Sequence, residues 1–236
     1  MTVHDIDVIG IGNALVDVLT HEEDEFVAAQ GLVKGSMTLI DAARAEELYS
    51  QMGPATEVSG GSAANTIVGV AALGGAGAYI GKVRDDQLGA IFAHDMRSMG
   101  IVFDVGRAQA GDPTGRCLIL VSPDGQRTMS TYLGASVGLT PDDIDQSLIE
   151  RGKILYLEGY LWDPPHAKAA MRAASQLAGH PDQQGRQLTS PKDHAGCFVT
   201  QGDHHLGSFA MAQISEGVER LGLSSGDWRP FGTIQA

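Results

Sequence analysis

The 236-residue sequence has only two cysteines, Cys117 and Cys197, and neither sits in a metal-ligand spacing. Two thiols make no disulfide framework, so free thiols in a reducing compartment are expected. No run approaches the roughly 20 apolar residues that a membrane helix needs. The N-terminal stretch MTVHDIDVIGIGN has neither the basic region nor the apolar run of a secretion signal. These absences predict a cytoplasmic protein. Basic residues are also scarce: 16 Lys and Arg against 29 Asp and Glu, a formal charge of −13. A surface of that sign repels nucleic acid and anionic membrane, so neither is an expected partner. It does not exclude a nucleotide, because local N–H groups and a metal set such a site. No GxxxxGK[ST] loop occurs, which argues against a P-loop enzyme.

Hydrophobic residues make up 43% of the chain and charged residues 19%. That suffices for a packed core and is not the composition of a disordered protein. The length suits one large α/β domain or two small ones. Ile6–Ile11 is a β-branched run that reads as a buried first strand. Leu15–Leu19 and Met37–Ile40 are short extended segments, separated by a polar stretch over residues 20–35. Asp41 is a natural N-cap for a helix through about Tyr49. Ser59-Gly60-Gly61-Ser62 opens a small-residue helix from Ala63 to Leu73, which Gly74–Gly77 stops. Ala78–Val83 reads as a strand, and Gln87–Ser98 carries Leu88, Ile91, Phe92 and Met96 at helical spacing. Cys117–Ser122 and Thr128–Leu133 flank Pro123-Asp124-Gly125-Gln126, the clearest hairpin in the chain. Ile154–Leu157 is a short buried strand and Pro165–Leu177 a helix with proline in its first turn.

Alternating strands and helices predict a parallel α/β sheet. The 117–133 hairpin and the 15–19 and 37–40 segments break that alternation and predict a small attached β-layer. After Ala178 the character changes. Residues 179–236 are rich in Gly, Gln, Ser and His, including His180, His194, His204 and His205. Only Phe209–Leu223 keeps a helical period there. An α/β domain should continue with a strand directly after the 165–177 helix, and residues 180–194 do not read as one. The adjacent His204 and His205 point apart, and no His-x-x-x-His pair supports a metal site.

Three motifs carry chemistry. In Gly60-Gly61-Ser62-Ala63-Ala64-Asn65, two glycines before a helix let a ligand approach the backbone, and the helix start offers unpaired N–H groups. Asn65, one turn in, can offer a donor and an acceptor to a pair of sugar hydroxyls. The alternative is a plain glycine-rich turn with Asn65 as a surface polar residue. In Gly12-Asn13-Ala14-Leu15-Val16-Asp17, Asp17 sits where the chain leaves the sheet, the end at which open α/β sheets bind ligands. A carboxylate there can grip two vicinal hydroxyls; the alternative is a turn or capping aspartate. Gly10-Ile11-Gly12 raises a dinucleotide-binding Rossmann reading, but Leu15 stands where the third glycine of that fingerprint belongs.

The GxGNxxxD strand exit, the SGGSAAN segment and the GKVRDDQLG segment at Gly81–Gly89 together resemble the ribokinase-like (phosphofructokinase-B-type) kinase family. Thr114-Gly115, Arg127-Thr128-Met129, Tyr132–Ala135 and Tyr156–Tyr160 add to it, in order, over residues 5–178. The wording is closest to bacterial adenosine or sugar kinases. The resemblance implies a parallel sheet flanked by helices, with a small β-lid from about 15–40 and 115–134. It divides the chain into residues 1–178, the N-terminal part of such a domain, and residues 179–236. It implies that Asn13, Asp17, Gly60, Gly61 and Asn65 contact the sugar, and that Asp85 or Asp86 supports a turn. It implies transfer of the γ-phosphoryl of ATP, with Mg²⁺, to the hydroxymethyl of a sugar or nucleoside, and leaves open a homodimer through the lid.

The family's Asp-Thr-x-Gly-Ala-Gly-Asp and Asn-x-x-Glu segments do not occur in this sequence. The tracts Gly196–Asp203 and Gly222–Asp227 have neither motif's order, so no catalytic aspartate is assigned. The fold is therefore expected to be incomplete at the C-terminus. The tail is expected to be divergent or poorly ordered, or to follow a shift of coding frame near Leu177–Gly179. A catalytically defective member that keeps part of the sugar site is the alternative function.

Overall fold

The computed structural model describes residues 4–178 and the backbone of 196–200. The β-branched run forms β1 (Ile6–Ile11) at the heart of a parallel sheet, buried almost throughout. β5 (Gly77–Ile80) and β8 (Gly152–Glu158) flank it in parallel. Near-continuous apolar strands such as these belong in a sheet covered on both faces. β9 (Gly196–Thr200) extends the sheet in parallel beyond β8. The strand expected directly after residue 177 thus lies some way downstream.

The separate β-layer is a second sheet of five strands, in the order β3 (Met37–Leu39), β7 (Arg127–Tyr132), β6 (Gly115–Val121), β2 (Leu15–His21) and β4 (Thr56–Gly60). The hairpin pairs Arg116 with Tyr132 and Val121 with Arg127. β2 runs parallel to β6 and antiparallel to β4. Sequence reasoning missed β4, because TEVSG is polar and ends in glycine. It also missed α1 (Asp24–Ala29), a short polar helix that buries only Val27.

α2 (Ala42–Gln51) starts at Asp41, whose carboxylate accepts the Arg44 N–H at 2.8 Å. α3 (Ser62–Ala72) covers one face of β1 so closely that a Cβ on Gly10 would lie 2.6 Å from Ile67 Cγ1. Glycine is what allows that contact. The other face packs Ile9, Ile11, Ala78, Ile80, Leu155 and Leu157 against the short α5 (Gln146–Ile149) and α6 (Pro165–Leu177). Helices on both faces of the parallel sheet complete the expected α/β layering. Tyr79, Phe92 and Phe103 interlock with ring centroids 5.2–6.2 Å apart, fastening α4 (Gln87–Ser98) to the sheet. Among the described residues no helix is long and apolar enough to cross a membrane.

The Rossmann alternative finds no support here. After Gly10-Ile11-Gly12 the chain enters a strand, β2, and not a helix. No helix start follows β1 to receive a pyrophosphate.

Asp86 does the turn-supporting work expected of residues 85–86. It caps α4 by accepting the Gly89 N–H at 2.8 Å, and it also accepts the Thr114 N–H and hydroxyl at 2.9 and 2.7 Å. Asp85 pairs with Arg107 at 2.8 Å. Asp86→Ala removes a helix cap and two further hydrogen bonds to the chain entering β6. A stability loss of about 2–4 kcal/mol is expected in urea unfolding. An unchanged midpoint would show that these bonds contribute nothing net.

The helical period at Phe209–Leu223, the tract Gly222–Asp227, residues 201–203 of the tract Gly196–Asp203 and the four late histidines lie outside the described residues.

Candidate functional site

The chain leaves β1 at Gly12, at the carboxyl edge of the parallel sheet. A Cβ there would meet Ala63 Cβ at 2.5 Å and Glu158 Oε2 at 2.9 Å. The end of β1, the start of α3 and the end of β8 therefore converge on one point. Asn13 comes next and is buried, with 4% exposure, its Oδ1 lying 3.0 Å from the Ser136 hydroxyl oxygen.

Asp17 lies on β2, opposite Val58 of β4 and level with Cys117 of β6. Gly60 makes room for its carboxyl: a Cβ at residue 60 would fall 2.2–2.4 Å from three carboxyl atoms. Gly61 has φ +96°, a backbone region that side chains disfavour, and a Cβ there would lie 2.5 Å from Asn13 O. The structure thus brings Asn13, Asp17, Gly60 and Gly61 together. Asn65 stands one turn into α3, its N–H on Gly61 O at 2.8 Å. Its exposed side chain makes no hydrogen bond among the described residues and shares a helix face with Ser62.

Burial disfavours the charged form of Asp17 and pushes its carboxyl up to about 6, against the pull of Arg127. Arg127 projects from the same face of the second sheet, because it alternates in register with Met129 and Thr131, the partner of Cys117. The Cys117 thiol is pushed up to about 12, chiefly by burial, and is inert at neutral pH.

Glu158 ends β8 at the mouth of α3. It accepts the Ser62 hydroxyl, and the Ala63 N–H favours its charged form, yet burial still raises its carboxyl to about 7. Two desolvated carboxyl groups and an amide therefore lie around the start of α3, where the Ala63 N–H already faces Glu158. Such a set can accept several hydroxyl donors at once, and low local dielectric strengthens each bond.

Sequence reasoning missed Glu158, Arg127 and Ser136 as parts of this site. Glu158 had a readable signal: an acidic residue closing a buried strand at the carboxyl edge of a parallel sheet. Arg127 and Ser136 had none, since only strand register and a turn bring them in.

Glu158→Gln tests the buried charge. The folded-state value lies above the ordinary 4.5, so the wild type is penalised increasingly as pH rises from there to about 7. The melting temperature of Glu158→Gln should match wild type near pH 4.5 and exceed it above pH 7. A constant difference across that range would refute the buried charge.

The sequence model of the pfkB family of carbohydrate kinases matches residues 14–194. The chain belongs to this family. It is 29% identical over 160 residues to adenosine kinase of Saccharomyces cerevisiae, covering 64% of this chain and 46% of that protein. It is 31% identical over 99 residues to fructokinase of Solanum tuberosum, covering 41% and 31%. Among solved structures, adenosine kinase from Sinorhizobium meliloti superposes with a TM-score of 0.74 at 44% identity, over 93% of this chain and 63% of that one. A probable sugar kinase from Rhizobium etli gives 0.73 at 42% identity, over 93% and 62%. The chain therefore spans less than half of these curated relatives and under two thirds of the two solved kinases.

Membership of a kinase family implies ATP and usually Mg²⁺. Among the described residues no group of three His, Cys, Asp or Glu side chains can hold a metal ion. The described residues do not fit a metal ion, and no step through the metal is assigned to them.

Proposed function

We propose that the cleft formed by Asn13, Asp17, Gly60, Gly61 and Asn65, with Glu158 at its edge, binds the polyol of a sugar or nucleoside. In this reading the polyol is the phosphoryl acceptor of an ATP-dependent kinase. The single observation that carries it is the Asp17 carboxyl laid over Gly60 beside the Gly61 turn, a placement that any side chain at residue 60 would destroy. A half-desolvated carboxylate with free lone pairs suits two adjacent hydroxyls. The helix start beside it favours the partial negative charge that gathers on a hydroxyl oxygen when its proton is drawn away.

The chemistry left to these residues is to bind, orient and exclude water, which are the main terms in phosphoryl transfer. No described residue is assigned as the base.

Calorimetric titration of the chain with adenosine and with D-fructose tests the reading. Saturable binding of at least one, lost in Asp17→Ala, supports it; no binding of either sinks it. A second reading also has an observation behind it. No Asp-Thr-x-Gly-Ala-Gly-Asp segment occurs in the sequence, which favours a chain that holds a polyol without turning it over. A coupled assay for ADP, with Mg-ATP and whichever polyol binds, separates the two.

A further inference from the structure

Ser136 is fully buried in the tight turn Gly134–Gly138, outside the set of groups assigned to the polyol. Its hydroxyl oxygen lies 2.6 Å from Leu133 O and 3.0 Å from Asn13 Oδ1. A serine hydroxyl has one proton to give and two lone pairs to receive with. It cannot give that proton at full strength to two carbonyl oxygens. The main-chain oxygen of Leu133 is nearer and cannot rotate. The Asn13 amide can turn about its last bond, exchanging nitrogen and oxygen within the same outline.

We propose that Ser136 is a positioning residue that holds the Asn13 amide turned, with Nδ2 donating to Ser136 Oγ while the Ser136 proton goes to Leu133 O. Each group then has a partner. The Asn13 carbonyl oxygen is left on the ligand side, a second acceptor beside the Asp17 carboxylate. The proposal rests on the polyol reading and sharpens it: the site is acceptor-rich and suits a diol that offers two O–H donors.

The turn is built to hold this geometry. The Ala135 N–H donates to Pro113 O at 2.8 Å and the Ser136 N–H to Leu133 O at 3.1 Å. Gly134 takes φ +49°, and a Cβ on it would fall 2.3 Å from Pro113 O. On the far side a His166 ring nitrogen lies 2.7 Å from Val137 O. Both flanks of Ser136 are therefore tied to neighbouring elements, while the Asn13 backbone is itself pressed against the Gly61 turn.

Two measurements on the full chain decide it. First, the side-chain NH₂ signal of Asn13, assigned by its loss in Asn13→Asp, is followed by hydrogen exchange in NMR. Ser136→Ala should speed its exchange by at least about tenfold while the protein stays cooperatively folded. Second, adenosine, 2′-deoxyadenosine and 3′-deoxyadenosine are titrated into wild type and Ser136→Ala. Affinity for adenosine should fall by about tenfold. That penalty should vanish for one of the two deoxy analogues and persist for the other, a pattern that general loosening would not give.

Unchanged exchange at Asn13 overturns the proposal, and so does an equal penalty with all three ligands. Failure of wild type to bind adenosine counts against the nucleoside form of the polyol reading. The exchange measurement then still decides which way the amide faces.

Discussion

Replacing Asp17 by asparagine is expected to weaken polyol binding by about two orders of magnitude and, at the same time, to stabilise the empty protein. The first effect follows from losing two charge-assisted hydrogen bonds, each contributing about 1.5–3 kcal/mol where water is excluded. The second follows from linkage. The folded-state carboxyl sits at about 6, above its ordinary 3.8. The folded protein therefore holds its proton more tightly than the unfolded chain does, and stability falls as pH rises from about 4 to 6. Above that window the buried charge costs on the order of 1–2 kcal/mol, after allowing for residual solvent access. Asparagine removes that cost. At pH 7.5 the variant should melt higher than wild type without ligand, and lower once wild type is saturated.

The same group sets a pH dependence for binding. Hydroxyl donors need the ionised form, so affinity should fall as pH drops through about 6, and binding near that pH should release protons. The proton count comes from calorimetry in two buffers of different ionisation enthalpy. A pH-independent affinity between 5 and 8 would remove Asp17 from the contact set.

Gly61→Ala is expected to damage both the fold and the site. At φ +96° and ψ 138° the residue sits in a region nearly closed to side chains. The added methyl carbon would also fall 2.5 Å from Asn13 O, a backbone atom that cannot swing away. Strain and overlap together should cost about 3–5 kcal/mol in urea unfolding and abolish polyol binding. Gly69→Ala is the internal control. It lies in α3, and its added methyl would have nothing within 4 Å, so helix propensity alone should stabilise it by about 0.5–1 kcal/mol. Equal effects at the two positions would show that the Gly61 turn is not a special conformation.

The sequence was most legible where one signal dominated. The bounds of α4 and α6 match the expected ranges, because apolar residues recur at helical spacing and a cap or proline marks the start. The hairpin was plain from its turn chemistry. β4 was not legible, since an edge strand with one exposed side need not be apolar. An α/β domain calls for a strand after α6, residues 180–194 do not read as one, and β9 at Gly196–Thr200 was not singled out from the sequence. At the site, Asn13, Asp17, Gly60, Gly61 and Asn65 were grouped by the family resemblance, since each motif alone also reads as an ordinary turn. Glu158 carried a signal that was passed over, an acidic residue closing a buried strand, whereas Arg127 and Ser136 carried none, because strand register and a pinned turn bring them in from distant segments.

The proposed polyol recognition turns on one small volume, in which a carboxyl group lies over a glycine, next to a glycine turn pressed on Asn13. Backbone amide shifts of the labelled chain, followed during titration with adenosine and separately with D-fructose, test this most directly. The expected result is saturable movement centred on Asn13, Asp17, Gly60, Gly61 and Ser62 for at least one of the two. Movement confined to other segments, or no movement at millimolar polyol, would contradict it.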